Sequence, residues 1–582
     1  MNHRLAGAAP VALSLALAAA LLLPGLGAAP FDDPGEGQHA EIAREMAASG
    51  QWLSLTLNGV RYLDKPPLLY WLAAAAFSLG GLHEWAARLA PLLGAGLAAA
   101  ATALLGARLL GTAGGLLAAG ALLSSALFLA FGRYLRPETL FVAGIQWGFA
   151  GLLLAVSDGE PDRRRRWSLI GCAALGAASL AKDPLGLVGP LLAIGLALAL
   201  GGRLRPLSRW LPSAGVALLL VIGAGWYLLE LRQPGFAWYT VVDNHLLNAA
   251  RLRHFPDEDV PLSGVEFLAV SLLGIVPWII PAALAITSIL RRREWRDPGQ
   301  VAWTALALWA VGVLALFTLL PFRLPHYALP AYPAIALLAA RGWREGSARA
   351  LSAAHLLLFA LIATICLLAA RGDGRAFVET VFSATDVYTR KEAALGQGGS
   401  LPAWSALAPL VARTGLVCAV GCAGLAALSI RRAHGSAGWL VLATMLAAMP
   451  AVPAAVSIVA AGRAVAGLSA EVRRQLGPDD LLVHEGPIEN SGALELYSGR
   501  RPILVEARRS VLGFGATFAD AAETFWDAAR FRREWCSGRP VLLVTPRDRE
   551  QSLVSRLPAA SARLLFEGNG RWLYRAASPA PC

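Results

Sequence analysis

The sequence predicts a polytopic membrane helix bundle, mostly α, followed by a small α/β domain. Three observations predict it. Charged residues make up 15% of the 582 against 56% hydrophobic, and mean hydropathy is +0.54, the balance of a chain that crosses a bilayer repeatedly. Apolar runs of spanning length recur as far as residue 461. Arginines gather in short loops between alternate runs, the cytoplasmic bias of membrane proteins.

The first run, 9–29, follows Met1 to Arg4. It is long for the apolar part of a signal peptide, and a proline follows its small residues, so it reads as an uncleaved span. Further spans are expected at 86–110, 114–132, 138–156, 167–182, 184–201, 210–230, 264–290, 300–320, 326–340, 350–369, 404–429 and 436–461, about thirteen in all. With the N-terminus inside, alternation places each arginine cluster in the cytoplasm: Arg163 to Arg166, Arg203/Arg205/Arg209, Arg291 to Arg293 with Arg296, Arg341/Arg344/Arg349, and Arg431/Arg432. The same distribution accounts for the net charge of +12 without nucleic acid as a partner. The opposite face receives 30–85, 133–137, 231–263, 321–325, 370–403 and everything after about residue 462. Within the first of these, Pro66-Pro67 opens an apolar stretch to Leu82 that is expected to lie as a helix on the membrane surface. A span there would reverse every later loop.

The bundle is expected to occupy 1–465 and the α/β domain 466–582. In the latter, LLVH (481–484), PILV (502–505) and PVLLVT (540–545) read as short strands, Ala516 to Trp535 as helical, and LLFEGNGRWLYR as a hairpin turning at Gly568-Asn569-Gly570. No Gly-rich phosphate loop or nucleophile elbow occurs there, so its default role is structural or acceptor-facing. Of six cysteines, Cys172, Cys366, Cys418 and Cys422 fall in apolar runs, without metal-ligand spacing. A Cys536–Cys582 disulfide is open to an extracytoplasmic domain.

Chemistry gathers on the outer segments. The first holds Asp32, Asp33, Glu36, His39, Glu41, Asp64 and Lys65; the next, GRYLRPETL, holds Arg133, Arg136 and Glu138. Segment 231–263 adds Asp243, His245, Arg251, Arg253, His254, Asp257, Glu258 and Asp259, and PFRLPHY adds Arg323, His326 and Tyr327. Charges at a membrane face are costly to desolvate and belong more often to a site than to a spacer. Carboxylates, imidazoles and guanidinium groups at one end of an apolar bundle suit a phosphorylated, lipid-borne substrate. A sugar phosphoester carries a good leaving group, so the protein needs a carboxylate to take the acceptor's proton and cations or a metal to hold the phosphate. Plainer readings stand beside these. Glu41, Arg44 and Glu45 have the spacing of a solvated helix face. Tyr70-Trp71, Trp226, Trp238 and Trp278 read as interface anchors, and Pro66-Pro67 as architecture.

At DPGEGQHAEIAREMAASGQWLSLTLNGVRYLDKPPLLYWL with HEWAARL, at RPETLF and at RLPHYALPAYPAIALL, the chain resembles bacterial GT-C glycosyltransferases related to protein O-mannosyltransferases and to the lipid A aminoarabinose transferase. The resemblance covers about Asp32 to Pro333. It implies an inner-membrane, multi-pass, inverting enzyme with its active site and C-terminal domain in the periplasm. The donor would be a polyprenyl-phosphate sugar, and the acceptor a lipid A-like lipid, a glycan or a protein. Where the family often reads Asp-Glu, this chain has Gly35-Glu36, so the carry-over favours Asp33 as base, with Glu36 as partner or substitute and Asp32 third. Glu138 falls where relatives have a second acidic residue, commonly Asp, and joins Asp33 and Glu36 as a candidate catalytic residue. Lys65 would face the lipid phosphate, with Arg323, Tyr327 and Arg136 as further substrate contacts. Asp64 with His254, ahead of His245, would bind a divalent metal (Zn or Mg/Mn). Two other classes share the same bundle: a transporter or flippase for a lipid-linked sugar, and a non-catalytic envelope assembly factor. Against the transporter, no inverted repeat is found and the charges sit at one face rather than the midplane.

Overall fold

A computed structural model describes residues 2–255, 260–386, 388–390 and 401–577. Each expected span falls on one helix or on two in tandem. The first is Asn2–Leu22. The second and third come from Glu84–Leu123, which breaks at Gly111, where φ is 81°, a conformation open to a residue without Cβ. Glu138–Ser157, Pro161–Ala181, Leu185–Leu200 and Ser213–Glu230 follow. Next come the pair Gly264–Leu273 and Ile279–Arg291, then Val301–Leu319, Tyr332–Glu345, Ala348–Arg371 and Trp404–Ile430. A second pair, Ala437–Ala448 and Ala451–Arg463, ends the bundle. Seven helical stretches among the described residues are long and apolar enough to cross a membrane, and the chain is a multi-pass membrane protein.

Small residues let the central helices approach closely, as dispersion rather than the hydrophobic effect must hold helices together in lipid. A Cβ at Gly151 would come within 2.6 Å of Gly171, and one at Gly144 within 2.8 Å of Ala178. Trp278 and Trp226, expected at the interface, are instead buried. Each indole N–H has an internal acceptor, Ser124 Oγ at 3.0 Å and the Leu53 carbonyl at 2.9 Å, so a polar handle satisfied inside the protein has no need of the headgroups. Tyr70 is buried as well.

The outer segment 30–85 folds as helix Gly37–Ser49, the two-stranded hairpin β1 (Thr56–Leu57) and β2 (Val60–Arg61), and helix Leu68–Gly80, which starts directly after Pro66-Pro67. Beyond helix Ala466–Gln475, strands β3 (Leu481–Glu485), β4 (Ile503–Val505), β5 (Phe525–Trp526), β6 (Val541–Thr545), β7 (Ala562–Gly568) and β8 (Arg571–Ala576) form one sheet in the order β5-β4-β3-β6-β8-β7. The first four are parallel and the last two antiparallel. The expected hairpin turn is present, with Asn569 and Gly570 both at positive φ. The stretch expected to be helical from Ala516 to Trp535 is α-helical only at Ala528–Trp535. Phe525-Trp526 joins the sheet edge instead, and Asp527 caps the helix by accepting from the Arg530 amide at 2.6 Å. Cys536 is disulfide-bonded; Cys582 lies outside the described residues.

Candidate active site

The loop after the first helix carries three carboxylates, all buried, and the fold gives each a different task. Glu36 faces Arg88 in a two-pronged pair, Nε to Oε1 at 2.9 Å and Nη2 to Oε2 at 2.6 Å, and also accepts from the Leu135 amide at 2.8 Å. Arg88 spends its remaining protons on the carbonyls of Leu26, Ala29 and Pro30. With every partner already supplied, Glu36 frames the loop. Asp33 turns toward the C-terminal domain and accepts from the amides of Val465 at 3.2 Å and Ala493 at 3.1 Å. Burial pushes its carboxyl up to about 7.

Glu36 borders a space of about 10 Å³ beside Arg88, and Asp32 is the one of the three that faces a larger cavity. This space of about 280 Å³ is lined by the polar side chains of Asp32, Tyr134, Arg136, His326, Asp386, Tyr388 and Arg463, and by apolar ones that include Phe131, Leu324, Phe382, Val456 and Val459. One Asp32 oxygen, Oδ2, accepts from the Tyr134 hydroxyl. The other, Oδ1, is buried without a partner. A buried acceptor left without a partner is costly, and the residue that carries it lines a cavity. Burial, opposed by Arg463, pushes the Asp32 carboxyl up to about 6.

Gly35 explains this division. A Cβ there would lie 1.5 Å from the Tyr134 hydroxyl oxygen and 2.8 Å from Asp32 Oδ2. The space that a side chain at 35 would fill already holds the Asp32–Tyr134 pair. Gly35→Ala is therefore expected to cost about 1–3 kcal/mol through overpacking and to lower activity, read as a reduced melting temperature together with a slower turnover per folded molecule.

A second polar group adjoins the cavity through Arg136 and His326. Glu138 is buried with Lys182 Nζ at 3.4 Å, His326 Nε2 at 3.3 Å and Arg136 Nε at 3.8 Å. Arg136 also reaches the Tyr388 hydroxyl at 3.1 Å. Tyr327 presents its ring to Lys182 Nζ at 4.7 Å. Lys65 is a third exposed and pairs with Asp64 at 2.6 Å. His39 donates to or accepts from the Tyr70 hydroxyl at 2.9 Å through Nδ1, and its Nε2 is buried without a partner. Burial, helped by Arg136 and Lys65, holds its ring down to about 3, so it is neutral. Arg323 turns onto the Thr318 carbonyl at 3.0 Å, while its neighbours Leu324 to His326 line the cavity.

Asp64 and His254, expected as metal ligands, have other partners. Asp64 accepts from Asn244 Nδ2 at 3.0 Å and lies 2.6 Å from Lys65 and 3.7 Å from Arg253. Against burial, those two cations hold its carboxyl well below the usual carboxylate range. The His254 ring is 63% exposed, with Nδ1 3.5 Å from Asp243. His245 Nδ1 meets the Thr240 carbonyl at 2.5 Å. Asp257, Glu258 and Asp259 lie outside the described residues. Lys65 sits on one Asp64 oxygen and the neutral Asn244 amide on the other, and among the described residues no three potential ligands gather around Asp64, so the described donor set does not fit a divalent metal, and no step below runs through one. Glu41, Glu45 and Glu495 do gather, but Arg44 sits among them at 2.5 Å from Glu41 and 2.7 Å from Glu495. Glu41 and Glu45 are buried rather than on a solvated face, because this side of the helix packs on the C-terminal domain.

Sequence reasoning passed over Tyr134, Lys182, Asp386 and Arg463. Tyr134 stood inside a segment already singled out, and Lys182 ends an apolar run just before Asp183-Pro184, the same boundary pattern that drew attention to Lys65. Asp386 and Arg463 gave no signal, since nothing local joins two positions 77 apart.

Residues 64–227, which hold Asp64, Lys65, Arg136, Glu138 and Lys182, match the family profile described as dolichyl-phosphate-mannose-protein mannosyltransferase. Among curated proteins, the undecaprenyl phosphate-alpha-4-amino-4-deoxy-L-arabinose arabinosyl transferase of Aeromonas salmonicida (strain A449) is 28% identical over 60% of this chain and 62% of its own length. The protein of the same name from Pectobacterium carotovorum subsp. carotovorum (strain PC1) is 26% identical over 86% and 85%. The chain spans between 52% and 62% of the length of the first relatives it matches. Crystal structures of ArnT from Cupriavidus metallidurans, bound to undecaprenyl phosphate and in the apo state, superpose with TM-scores of 0.80 and 0.79. Both are at 24% identity and cover 98% of this chain and 99% of that one. The fold is GT-C, and the resemblance and fold class read from the sequence are borne out.

Proposed function

We propose that this chain is an integral membrane glycosyltransferase that moves a sugar from a polyprenyl-phosphate donor to an acceptor at the periplasmic face of a bacterial inner membrane. One observation carries the reading: a buried carboxylate with one unpartnered oxygen, Asp32 Oδ1, on a residue lining a cavity whose walls are otherwise largely apolar. Apolar walls suit a lipid chain, and a cationic rim suits its phosphate. The matched relatives are named for undecaprenyl phosphate and 4-amino-4-deoxy-L-arabinose, which makes that aminopentose the first sugar to test.

The residues divide the work as follows. Asp32 takes the proton of the acceptor's O–H group as its oxygen attacks the anomeric carbon. The carbon–oxygen bond to phosphate breaks on the opposite side, inverting the centre and releasing the polyprenyl phosphate. Charge building on that phosphate is met by Arg136 and Lys65, with Lys182 behind them on Glu138. Glu138 orders these cations. Tyr134 fixes the orientation of Asp32.

The test is mass spectrometry of lipid extracts and envelope glycans from cells with and without the chain, and with Asp32→Asn. Loss of the chain should make one polyprenyl-phosphate sugar accumulate while a lipid A, glycan or protein species loses the matching mass, and Asp32→Asn should reproduce both changes. Unchanged pools in cells that normally express the protein would overturn the reading.

A further inference from the structure

We propose that the C-terminal α/β domain positions the reacting carboxylate: a buried staple of Asp33 and Arg571 fixes both the peptide that carries Asp32 and the helix end that carries Arg463. The inference rests on the reading of Asp32 given above. Arg571 opens β8 and is buried. It donates to the carbonyls of Arg463 at 2.7 Å, Asn569 at 2.6 Å, Asn490 at 2.8 Å through Nε, and Asp33 at 3.3 Å. The Asp33 carboxylate completes the circuit by accepting from the amides of Val465 and Ala493. One guanidinium and one carboxylate thus tie the loop at 33, the helix end at 463–465 and the domain at 490–493 into a single unit.

Both ends of that unit reach the cavity. Asp32 precedes Asp33 by one peptide. The Arg463 side chain binds Asp386, and also Thr389 Oγ1 at 2.7 Å, and with the Tyr134 hydroxyl it opposes the rise of the Asp32 carboxyl. A shift of the domain would therefore disturb both Asp32 and Arg463, the cation that acts on it.

The junction is packed to contact along its length. A Cβ at Gly492 would lie 2.3 Å from the Gln38 amide, and one at Gly37 would lie 2.6 Å from the Ala493 amide. Further out, the Phe31 amide donates to the Tyr497 hydroxyl at 2.9 Å, which donates to Glu84 at 2.8 Å, and Arg44 pairs with Glu495 at 2.7 Å. Backbone amides aimed at one buried carboxylate restrict its chain, and a reacting group must be held to within about 0.5 Å. Neither Asp33 nor Arg571 lines the cavity itself; each acts through a residue that does. They are positioning residues.

The experiment uses the full chain in lipid nanodiscs with polyprenyl-phosphate sugar as donor, comparing Asp33→Asn, Arg571→Lys and Asp32→Asn. The first two should fold and lower kcat by about 10- to 100-fold, keep the donor KM within about threefold, and move the acid limb of the pH–rate profile because Arg463 no longer stands at a fixed distance from Asp32. A domain that only supports folding would lower yield and melting temperature and leave kcat and the pH profile of the folded enzyme untouched; that result overturns the staple. If either variant fails to fold, Tyr497→Phe, which removes one hydroxyl, decides by the same two readouts. Asp32→Asn keeps the two readings apart. If it retains turnover, the assignment of the base fails; if it is inactive while the staple variants match the wild type, the staple alone fails.

Discussion

Asp32→Asn is expected to cut transfer by about 10²- to 10⁴-fold, the range for a positioned general base, while leaving the protein folded. Asn keeps the shape and can still accept from Tyr134, but it cannot take a proton. Wild-type activity should rise as pH passes through about 6, where burial has raised the Asp32 carboxyl, and the residual rate of the variant should lack that rise. The groups bearing on Asp32 are Tyr134, Arg463, Glu36 and Asp386, with Arg136 and His326 across the cavity. Stability should respond with the opposite sign. A carboxyl whose pKa is higher folded than unfolded binds its proton more tightly in the folded state, so its contribution is fully present below the ordinary carboxylate range and lost as pH rises through about 6. At pH 7 the neutral Asn relieves that loss, and the melting temperature should hold or rise. Transfer rates between pH 5 and 8, with melting curves on the same samples, check both halves. Wild-type turnover in Asp32→Asn would move the role to another cavity carboxylate, Asp386 first.

The bundle was legible because hydropathy is local: a run of apolar residues bounded by arginine loops means a span wherever it occurs. The strand pattern and the turn at Asn569-Gly570 were legible for the same reason. The site was legible as a neighbourhood. Asp32, Asp33, Glu36, Lys65, Arg136 and Glu138 do lie at one end of the bundle. Their division of labour was not legible, because it depends on where three adjacent side chains point after a turn. Register against the family motif favoured Asp33 and Glu36, and the geometry gives those two their partners from Ala493 and Arg88, residues far away in sequence. Gly35 looked like the loss of a functional residue; in space it is the clearance for Tyr134. Asp386 and Arg463 were silent because a pair at that separation is created only by the fold.

Glu36→Ala is expected to destabilise the protein by about 3–5 kcal/mol, the cost of leaving a buried charge without its partner, and to be read as a collapse in folded yield rather than as a slow enzyme. Arg88 is buried and holds Glu36 with two hydrogen bonds while serving three carbonyls of the loop. Removing the carboxylate strands the guanidinium and frees two amides: that of Leu135, two places from Arg133 on the segment that also carries Tyr134, and that of Asp32, which donates to Glu36 Oε2 at 3.2 Å. Replacing both Glu36 and Arg88 by apolar residues should not restore stability, as it often does for a simple buried pair, because the three carbonyls and the two amides would remain unpaired. A melting temperature of purified Glu36→Ala close to that of the wild type would show that the pair contributes little. The contrast with Asp32 is then the decisive one. Of two buried carboxylates four residues apart, the one with every oxygen satisfied should govern folding, and the one with an oxygen left open should govern the chemistry.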